Sequence, residues 1–334
     1  MITGRYARVP GVDVAVIGLG LIGGSLLQAL AAAGHRVVGF DADPATRGTA
    51  RTAAARAGPD ARWQIAGSIR AATGAAEVVI LAVPLPALPA VIAELRGFAG
   101  LVTDVTSVKT PVLELIGDLK FVGGHPMAGK ETSGFRAADP RLFDGCAWVL
   151  CLEDGTDTAD WLLLAELATR LRARVVPATA ADHDRAVAAA SHVPHLLASA
   201  LTTAVVADPL AAVLAAGSFR DGTRVAATRP DLIAAMCGGN AAAVGPALDQ
   251  VLRTLDELRA ALEADDPVAA LRTSVAPASA ARAAWPPVPG AEAELPARSD
   301  VLLRLGRIGG WVTAVDRDRR KVTAKRPESG RNSS

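Results

Sequence analysis

The stretch VAVIGLGLIGGSLLQALAAAGHRVVGFD, residues 14–41, decides the fold of the first half of this chain. Its first four residues are an apolar run that predicts a buried parallel strand, and an apolar helical pattern later in the stretch ends at Gly34. Between them lies GLGLIG, residues 18–23, a G-x-G-x-x-G turn. A second apolar strand then ends in Asp41, which lies 23 residues after the first glycine. Strand, turn, helix, strand and acid in this order are typical of a βαβ unit that binds a dinucleotide.

Each glycine of the turn has a predicted role. Gly18 permits a tight turn, Gly20 lets a pyrophosphate approach the backbone, and Gly23 lets helix and strand pack closely. The free N–H groups at the helix N-terminus favour the phosphates. We expect Asp41 to bind the ribose hydroxyls and to repel a 2′-phosphate, which favours NAD over NADP. The alternative is an α/β turn without a ligand. Hydropathy alone would also permit a membrane span or signal segment at 14–34, but the glycines and Gln28 argue against both.

The composition limits the number of domains and the classes of partner that the chain can have. The chain has 334 residues, 51% of them hydrophobic, which is enough for two domains or for one large domain with a tail. Its formal net charge of +1 gives no argument for a nucleic-acid or membrane partner. The 3 cysteines match neither a zinc site nor a redox pair, so we expect reduced thiols in a cytoplasmic protein.

Strand and helix patterns alternate as far as residue 178. Further strands are predicted at 77–83, 101–105, 121–126, 147–152 and 174–177. This alternation predicts an α/β domain over residues 10–178, with a doubly wound, mostly parallel Rossmann-type sheet.

Residues 179–275 show no strand pattern and are predicted to form an all-α domain. We expect a helix over 182–206 with a kink at Pro194, a long amphipathic helix over 240–264, and a short helix capped by Asp266. Its apolar residues suit a dimer interface. Residues 276–334 are predicted to be a Pro/Ala-rich linker and a small basic tail, with a hairpin formed by the runs at 301–305 and 309–315.

Two polar residues are predicted at the ends of neighbouring strands. His125 follows Gly123 and Gly124 at the end of the 121–126 strand, and Ser107 lies just past the end of the preceding one. Ligands of open α/β sheets bind beyond those strand ends. A histidine there can take a hydroxyl proton as a hydride leaves the same carbon. The alternative is a structural loop histidine.

The segment SHVPH, residues 191–195, contains His192 and His195 on roughly one helical face. Metal binding is less favoured than substrate contact or polar packing in the core. No nearby carboxylate completes a metal site, unless the segment with Asp182, His183 and Asp184 folds back toward the two histidines. Arg220 and Arg224 could clamp a carboxylate, although Arg220 could instead pair with the adjacent Asp221 at the surface.

These motifs together resemble the prephenate/arogenate dehydrogenase family of tyrosine biosynthesis. The resemblance covers residues 14–262 and is carried by VIGLGLIGGSL, the aspartate after VVGF, ILAVP, TDVTSVK, GGHPMAGKETSGF, DHDRAVAAASHVPH and GSFRDGTRVA. It implies NAD-dependent oxidative decarboxylation of prephenate to 4-hydroxyphenylpyruvate, or of arogenate to tyrosine. It also implies a homodimer formed through the helical domain.

The resemblance further implies residue roles. His125 would hydrogen-bond and deprotonate the ring hydroxyl, and Ser107 would orient His125 or the substrate hydroxyl. The implied substrate-binding residues are Arg224, His195, Ser191, Lys130 and Glu131, and the implied cofactor-binding residues are Gly18, Gly20, Gly23, Asp41, Val83 and Pro84. Lys130 would favour the keto-acid side chain of prephenate, whereas Glu131 would favour the ammonium group of arogenate.

Two other functions stay open on the sequence alone. A β-hydroxyacid dehydrogenase shares this layout but typically relies on a lysine of the second domain, and the chain has no lysine between Lys130 and Lys321. A catalytically inactive NAD-binding sensor would be expected to have lost His125 or Ser107.

Overall fold

The computed structural model describes residues 11–58 and 62–328, which divide into two compact units. Within that range the first unit holds the residues up to 180 together with 293–324, and the second holds 181–292 and 325–328. The predicted N-terminal domain thus gains a segment from the region that the sequence assigned to a linker and tail. The predicted domain boundaries at residues 10 and 334 lie outside the described residues.

The elements of the first unit are β1 (Asp13–Ile17), α1 (Leu21–Ala32), β2 (Arg36–Phe40), α2 (Pro44–Ala57), β3 (Trp63–Ile65), α3 (Ile69–Thr73), β4 (Val78–Leu81), α4 (Leu88–Glu94), β5 (Leu101–Asp104), α5 (Thr110–Leu115), β6 (Phe121–Val122), β7 (Gly124–Pro126), β8 (Ala147–Cys151), α6 (Thr158–Arg170) and β9 (Arg174–Ala178). The chain continues with α7 (Ala180–Val187), α8 (Val193–Val206), α9 (Pro209–Leu214), α10 (Gly217–Thr223), α11 (Pro230–Ile233), α12 (Ala241–Leu262) and α13 (Pro267–Ala283). It ends with β10 (Ala293–Pro296), α14 (Ser299–Arg307), β11 (Trp311–Asp316) and β12 (Lys321–Lys325).

Strands β1 to β6 form a parallel sheet in the order β3-β2-β1-β4-β5-β6. The reversal of strand order beside β1 is the point at which open α/β sheets bind ligands. Every residue of β4 and β5 is buried, as expected for strands covered by helices on both faces. The predicted fold class, a doubly wound domain followed by a helical domain, is confirmed.

The predicted strand over 121–126 is wrong in one respect, because it breaks at Gly123. Residues 121 and 122 end the first sheet, and β7 starts a second, mixed sheet in the order β10-β12-β11-β9-β8-β7. His125 therefore lies inside β7, antiparallel to β8 and paired with Val149, and not at the end of a parallel strand.

The C-terminal segment completes this second sheet. The run at 301–305 was predicted as a strand of a hairpin, but it lies in α14, where Leu302 and Leu305 share one buried face. The hairpin is formed by β11 and β12, and β11 pairs with β9 through Val312 and Val175. A Cβ on Gly306 would lie 1.8 Å from the Pro177 carbonyl oxygen, so α14 packs directly on β9. The segment is part of the first unit's core.

The second unit is built from α7 to α13. Helices α7 and α8 are joined by a π turn at Ala188–His192, just before the predicted kink at Pro194, which has no N–H to donate to the preceding turn. The predicted cap is present, since the Asp266 carboxylate accepts the Ala269 N–H at 3.0 Å. Helix α13 is longer than predicted and continues through Pro277 into an alanine-rich segment with high helix propensity.

Many large apolar side chains of this unit are exposed. They are Leu201, Val206, Leu210, Val213, Leu214, Leu232, Leu252, Leu255, Leu262, Val268 and Val275. Among the described residues, the run Ala180–Val206 is long and apolar enough to cross a membrane, and so is the bent pair Pro230–Gly238 and Ala241–Leu262 if it counts as one span. One or two such helices are weak evidence for a membrane protein, because interface and core helices have the same composition.

Candidate active site

The glycine turn between β1 and α1 is shaped for close backbone approach. Gly18 has φ +97°, and a Cβ there would lie 2.4 Å from the Ala82 carbonyl oxygen. A Cβ on Gly23 would lie 1.8 Å from the Gly18 carbonyl oxygen. A Cβ on Gly20, in contrast, would meet no described atom within 4 Å, and Gly20 precedes α1 without a side-chain cap. The turn therefore leaves open space in front of uncapped helix N–H groups, which fits the pyrophosphate of a dinucleotide.

Asp41 follows β2 and its carboxylate faces this turn. Its Oδ2 accepts the Leu19 N–H at 2.7 Å, and its Oδ1 accepts the Asp43 N–H at 2.8 Å. Val83 lies near the turn as well, because a Cβ on Gly18 would be 3.0 Å from Val83 Cγ1. Pro84 follows Val83 and precedes a short 3₁₀ turn at Leu85–Ala87. The structure thus gathers the predicted cofactor residues at the ends of β1, β2 and β4.

Ser107 and His125 lie on two segments that are joined by buried hydrogen bonds. Ser107 lies in the loop after β5, between Thr106 and Lys109, and it is half-buried. His125 is half-buried and directly follows Gly124, whose N–H donates to Asp104 Oδ1 at 3.1 Å and whose carbonyl accepts Lys109 Nζ at 2.6 Å. No sequence pattern singled out these joining residues, although TDVTSVK contains two of them, Asp104 and Lys109.

Lys130 and Glu131 lie on an exposed loop after β7. Lys130 Nζ pairs with Asp139 Oδ2 at 2.7 Å, and this hydrogen bond lowers the pKa of the Asp139 carboxyl below its ordinary value. The Asp139 N–H donates to Ser25 Oγ at 2.9 Å, which anchors the end of the loop to α1. A substrate that uses Lys130 would therefore have to share it with Asp139.

In the second unit, Ser191 and His195 are joined to each other. The His195 ring donates from Nδ1 to the Ser191 carbonyl at 2.8 Å, because a carbonyl oxygen can only accept. The neutral ring then presents Nε2 as an acceptor. Arg224 is exposed at the end of α10 and starts a 3₁₀ turn that packs against α8, the helix that carries His195. Arg220 pairs with Asp221 at 3.5 Å on the surface, which is the alternative that the sequence left open.

His192 belongs to a buried polar cluster, which is the packing alternative that the sequence left open, although its partner Asn240 was not identified from the sequence. The Asn240 side chain donates to the Asp184 carbonyl at 2.8 Å and to His192 Nδ1 at 3.2 Å. His183 Nδ1 lies 2.8 Å from Asp184 Oδ1. Burial, followed by the charge of His183, lowers the pKa of His192 to about 4. The cluster keeps His192 neutral and ties α7 and the π turn to the start of α12.

Comparison with known proteins identifies the family. The profile described as "Prephenate dehydrogenase, nucleotide-binding domain" matches residues 26–177, and the one described as "Prephenate dehydrogenase, dimerization domain" matches 179–273. Prephenate dehydrogenase of Bacillus subtilis is 31% identical over 76% of this chain and 71% of its own length. The chain belongs to the prephenate dehydrogenase family.

Other relatives differ in name and in the length matched. Prephenate dehydrogenase of Lactococcus lactis is 33% identical over 64% of this chain, and the match spans only 60% of that relative. Cyclohexadienyl dehydrogenase of Zymomonas mobilis is 31% identical over 76% of this chain and 89% of its own length. Among solved structures, Synechocystis arogenate dehydrogenase is 28% identical with a TM-score of 0.71, covering 82% of this chain and all of that one.

Proposed function

We propose that this chain catalyses the NAD-dependent oxidative decarboxylation of prephenate to 4-hydroxyphenylpyruvate. Family membership supports the reaction class, and the Gly20 and Asp41 geometry fits NAD. The observation that carries the proposal is the joining of the Ser107 loop to the His125 strand, which gives one domain both a proton acceptor and a hydroxyl group to orient it.

When held by the glycine turn and Asp41, NAD would supply the acceptor for the hydride that leaves the ring carbon carrying the hydroxyl group. His125 accepts the proton of that hydroxyl as the carbonyl forms, which is the role of a positioned general base. Ser107 orients the His125 ring or the substrate hydroxyl. Loss of the ring carboxylate as carbon dioxide leaves the electron pair of the broken bond in the ring, and the carbonyl oxygen regains the proton from His125, which gives the aromatic phenol. The protein therefore mainly has to position the substrate and hold one proton.

Three of the five residues that we propose for substrate binding, Ser191, His195 and Arg224, lie in the second unit. Arg224 is exposed and can pair with a substrate carboxylate. The His195 Nδ1 donates to the Ser191 carbonyl, so the Nε2 of the neutral ring is an acceptor. We assign Arg224 and His195 to orienting the substrate. Each assignment predicts a raised KM on substitution, with little loss of kcat.

Arogenate is the second candidate substrate. The pairing of Lys130 with Asp139 reduces the positive charge that would favour the prephenate side chain, and Glu131 lies on the same exposed loop. The names of the Zymomonas and Synechocystis relatives show that the family includes other cyclohexadienyl substrates. The two substrates differ in the side-chain keto or ammonium group, so the loop at 130–139 is where we expect discrimination.

The test measures NADH or NADPH formation by the purified protein with prephenate and with arogenate, each with NAD and with NADP. We expect the highest kcat/KM with prephenate and NAD. A higher value with arogenate would move the assignment to the second candidate. Absence of turnover with both substrates, with NAD binding retained, would contradict the proposal and favour a sensor. His125→Asn is the matched control, expected to bind NAD but not to turn over.

We also propose a cytoplasmic homodimer formed through the helical unit. Its support is the match to the family's dimerization domain, the exposed apolar side chains of that unit, and the low cysteine content of the chain, 3 in 334 residues, which suits a reducing compartment. Light scattering after size-exclusion chromatography should give twice the chain mass. A monomer at micromolar concentration would contradict the dimer.

A further inference from the structure

A buried ion pair lies where the two sheets of the first unit meet. Lys109 Nζ contacts the Asp104 carboxylate, and the side chains are 1% and 0% exposed. Asp104 is the last residue of β5 in the first sheet. Its carboxylate accepts the Gly124 N–H of β7 in the second sheet, and its partner Lys109 donates to the Gly124 carbonyl. Burying two charges is costly, and an apolar pair of similar volume is often as stable. The charge pairing by itself is therefore weak evidence for added stability, and the hydrogen bonds that the pair makes to its neighbours indicate its role.

The ion pair forms hydrogen bonds with the main chain of β7, the edge strand of the second sheet. The Gly124 N–H donates to Asp104 Oδ1 at 3.1 Å, and the Gly124 carbonyl accepts from Lys109 Nζ at 2.6 Å. A Cβ on Gly124 would lie 2.7 Å from the Asp104 carbonyl oxygen, and one on Gly123 would lie 3.3 Å from Lys109 Cδ. Because Gly123 and Gly124 have no side chains, Asp104 and Lys109 can contact the main chain of β7 at the residue before His125.

Thr106 extends the same contact into the loop that carries Ser107. Its hydroxyl donates to the Asp104 carboxylate and accepts Lys109 Nζ at 3.1 Å, and its N–H donates to Asp104 Oδ2 at 3.0 Å. Ser107 is therefore held between two residues, Thr106 and Lys109, that both bind the same carboxylate. The loop and β7 share one anchor.

We propose that Asp104, Lys109 and Thr106 are positioning residues that set the position of Ser107 relative to His125. This inference rests on the proposed function, because it assigns the role of these residues through that catalytic pair. None of the three contacts the reacting atoms in this assignment. A displacement of about 1 Å in catalytic geometry can cost on the order of 100-fold in rate, so a rigid anchor at this point matters for turnover.

The test compares Thr106→Val, which removes the hydroxyl at nearly constant volume, with Thr106→Ser, which keeps it. We expect Thr106→Val to lower kcat about tenfold or more, with the KM for NAD unchanged, and Thr106→Ser to restore kcat. The double variant Asp104→Asn/Lys109→Met removes both charges together and should show the same fall in kcat. Lys120→Met is the matched control, since Lys120 is 54% exposed and pairs with Asp160 at the surface.

A second readout does not depend on turnover. Ring resonances of His125 in ¹⁵N-histidine-labelled protein, assigned by comparison with His125→Asn, should shift in Thr106→Val and return in Thr106→Ser. Wild-type kcat and unshifted resonances in Thr106→Val would overturn the inference. So would parallel losses of NAD affinity and stability that serine does not rescue. An inactive wild-type protein would contradict the proposed function instead, and the resonance shifts would still decide the positioning role.

Discussion

The Leu19 N–H donates to the Asp41 carboxylate at 2.7 Å, so the acid after β2 is bound to the centre of the glycine turn after β1. The other carboxylate oxygen accepts the Asp43 N–H at 2.8 Å. These two bonds fix the carboxylate at the end of the sheet where a ribose is expected. The side chain that we propose to select NAD over NADP is therefore already held in place before the cofactor binds.

We predict that Asp41→Asn weakens the preference for NAD over NADP by about tenfold or more, because a hydrogen bond to a charged group contributes roughly 1.5–3 kcal/mol. The amide keeps the shape of the side chain but no longer repels a 2′-phosphate. The ratio of kcat/KM for the two cofactors measures the effect. Asp43→Asn is the control, since Asp43 caps α2 through Ala45 and Thr46 and should leave the ratio unchanged. An unchanged ratio in Asp41→Asn would remove Asp41 from cofactor selection.

The glycines of the turn should separate cofactor binding from folding. Gly20→Ala adds a methyl group where no described atom lies within 4 Å, so we expect normal unfolding stability but at least tenfold weaker NAD binding. Gly23→Ala would place its Cβ 1.8 Å from the Gly18 carbonyl oxygen and should destabilise the unit as well. Calorimetric titration with NAD and urea unfolding provide the two readouts. Equal NAD affinity in Gly20→Ala and the wild type would contradict the assignment of the pyrophosphate site.

Local sequence patterns predicted the first sheet well for a physical reason. Strand, turn and helix signals there occur within a few residues of each other, and β1 and β4 are mostly apolar because both of their faces are buried. The break at Gly123 was not predictable in the same way. It depends on the long-range bonds of Gly124 to Asp104 and Lys109, which no periodicity within residues 121–126 reveals.

The C-terminal segment shows the same limit. The run at 301–305 is too short for periodicity to separate strand from helix, and only its packing on β9 decides the outcome. His35 is a comparable case, because a position in the turn before β2 suggests a surface residue. It is instead 6% exposed and accepts the Val12 N–H at Nδ1, and burial lowers the pKa of its ring. The Ser107 and His125 segments were identifiable from their motifs, whereas the residues that join them required coordinates.

We predict that the C-terminal segment stabilises the first unit through Leu302. This side chain is fully buried, and truncation of a buried leucine typically costs about 2–5 kcal/mol. Leu302→Ala should therefore lower the free energy of unfolding by that amount in urea titration. Ile308→Ala, one residue past α14 and 50% exposed, should change it by less than about 1 kcal/mol. Equal effects of the two substitutions would show that the segment does not belong to the core of this unit.

The buried cluster around His192 should make stability depend on pH. The pKa of His192 is lowered from 6.5 to about 4 by burial, by the nearby His183 and to a smaller extent by His195, while Asp184 acts in the opposite direction. Between pH 6.5 and about 4, His192 binds a proton in the unfolded chain but not in the folded one. The free energy of unfolding therefore rises with pH across this window and falls as the pH is lowered. At about 1.4 kcal/mol for each unit of pKa shift, lowering the pH through this window reduces the free energy of unfolding by roughly 3 kcal/mol.

Replacing the ring should flatten this dependence. We expect His192→Gln to lower the slope of unfolding free energy against pH by about one proton, or roughly 1.4 kcal/mol per pH unit, between pH 6.5 and 4. Urea unfolding followed by far-ultraviolet circular dichroism at intervals across that window measures the slope. Asn240→Ala provides the contrast, because it removes the hydrogen bond to Nδ1 but keeps the titrating ring. It should reduce stability at every pH and keep most of the slope. If His192→Gln keeps the wild-type slope, the acid sensitivity of the helical unit arises from groups other than His192.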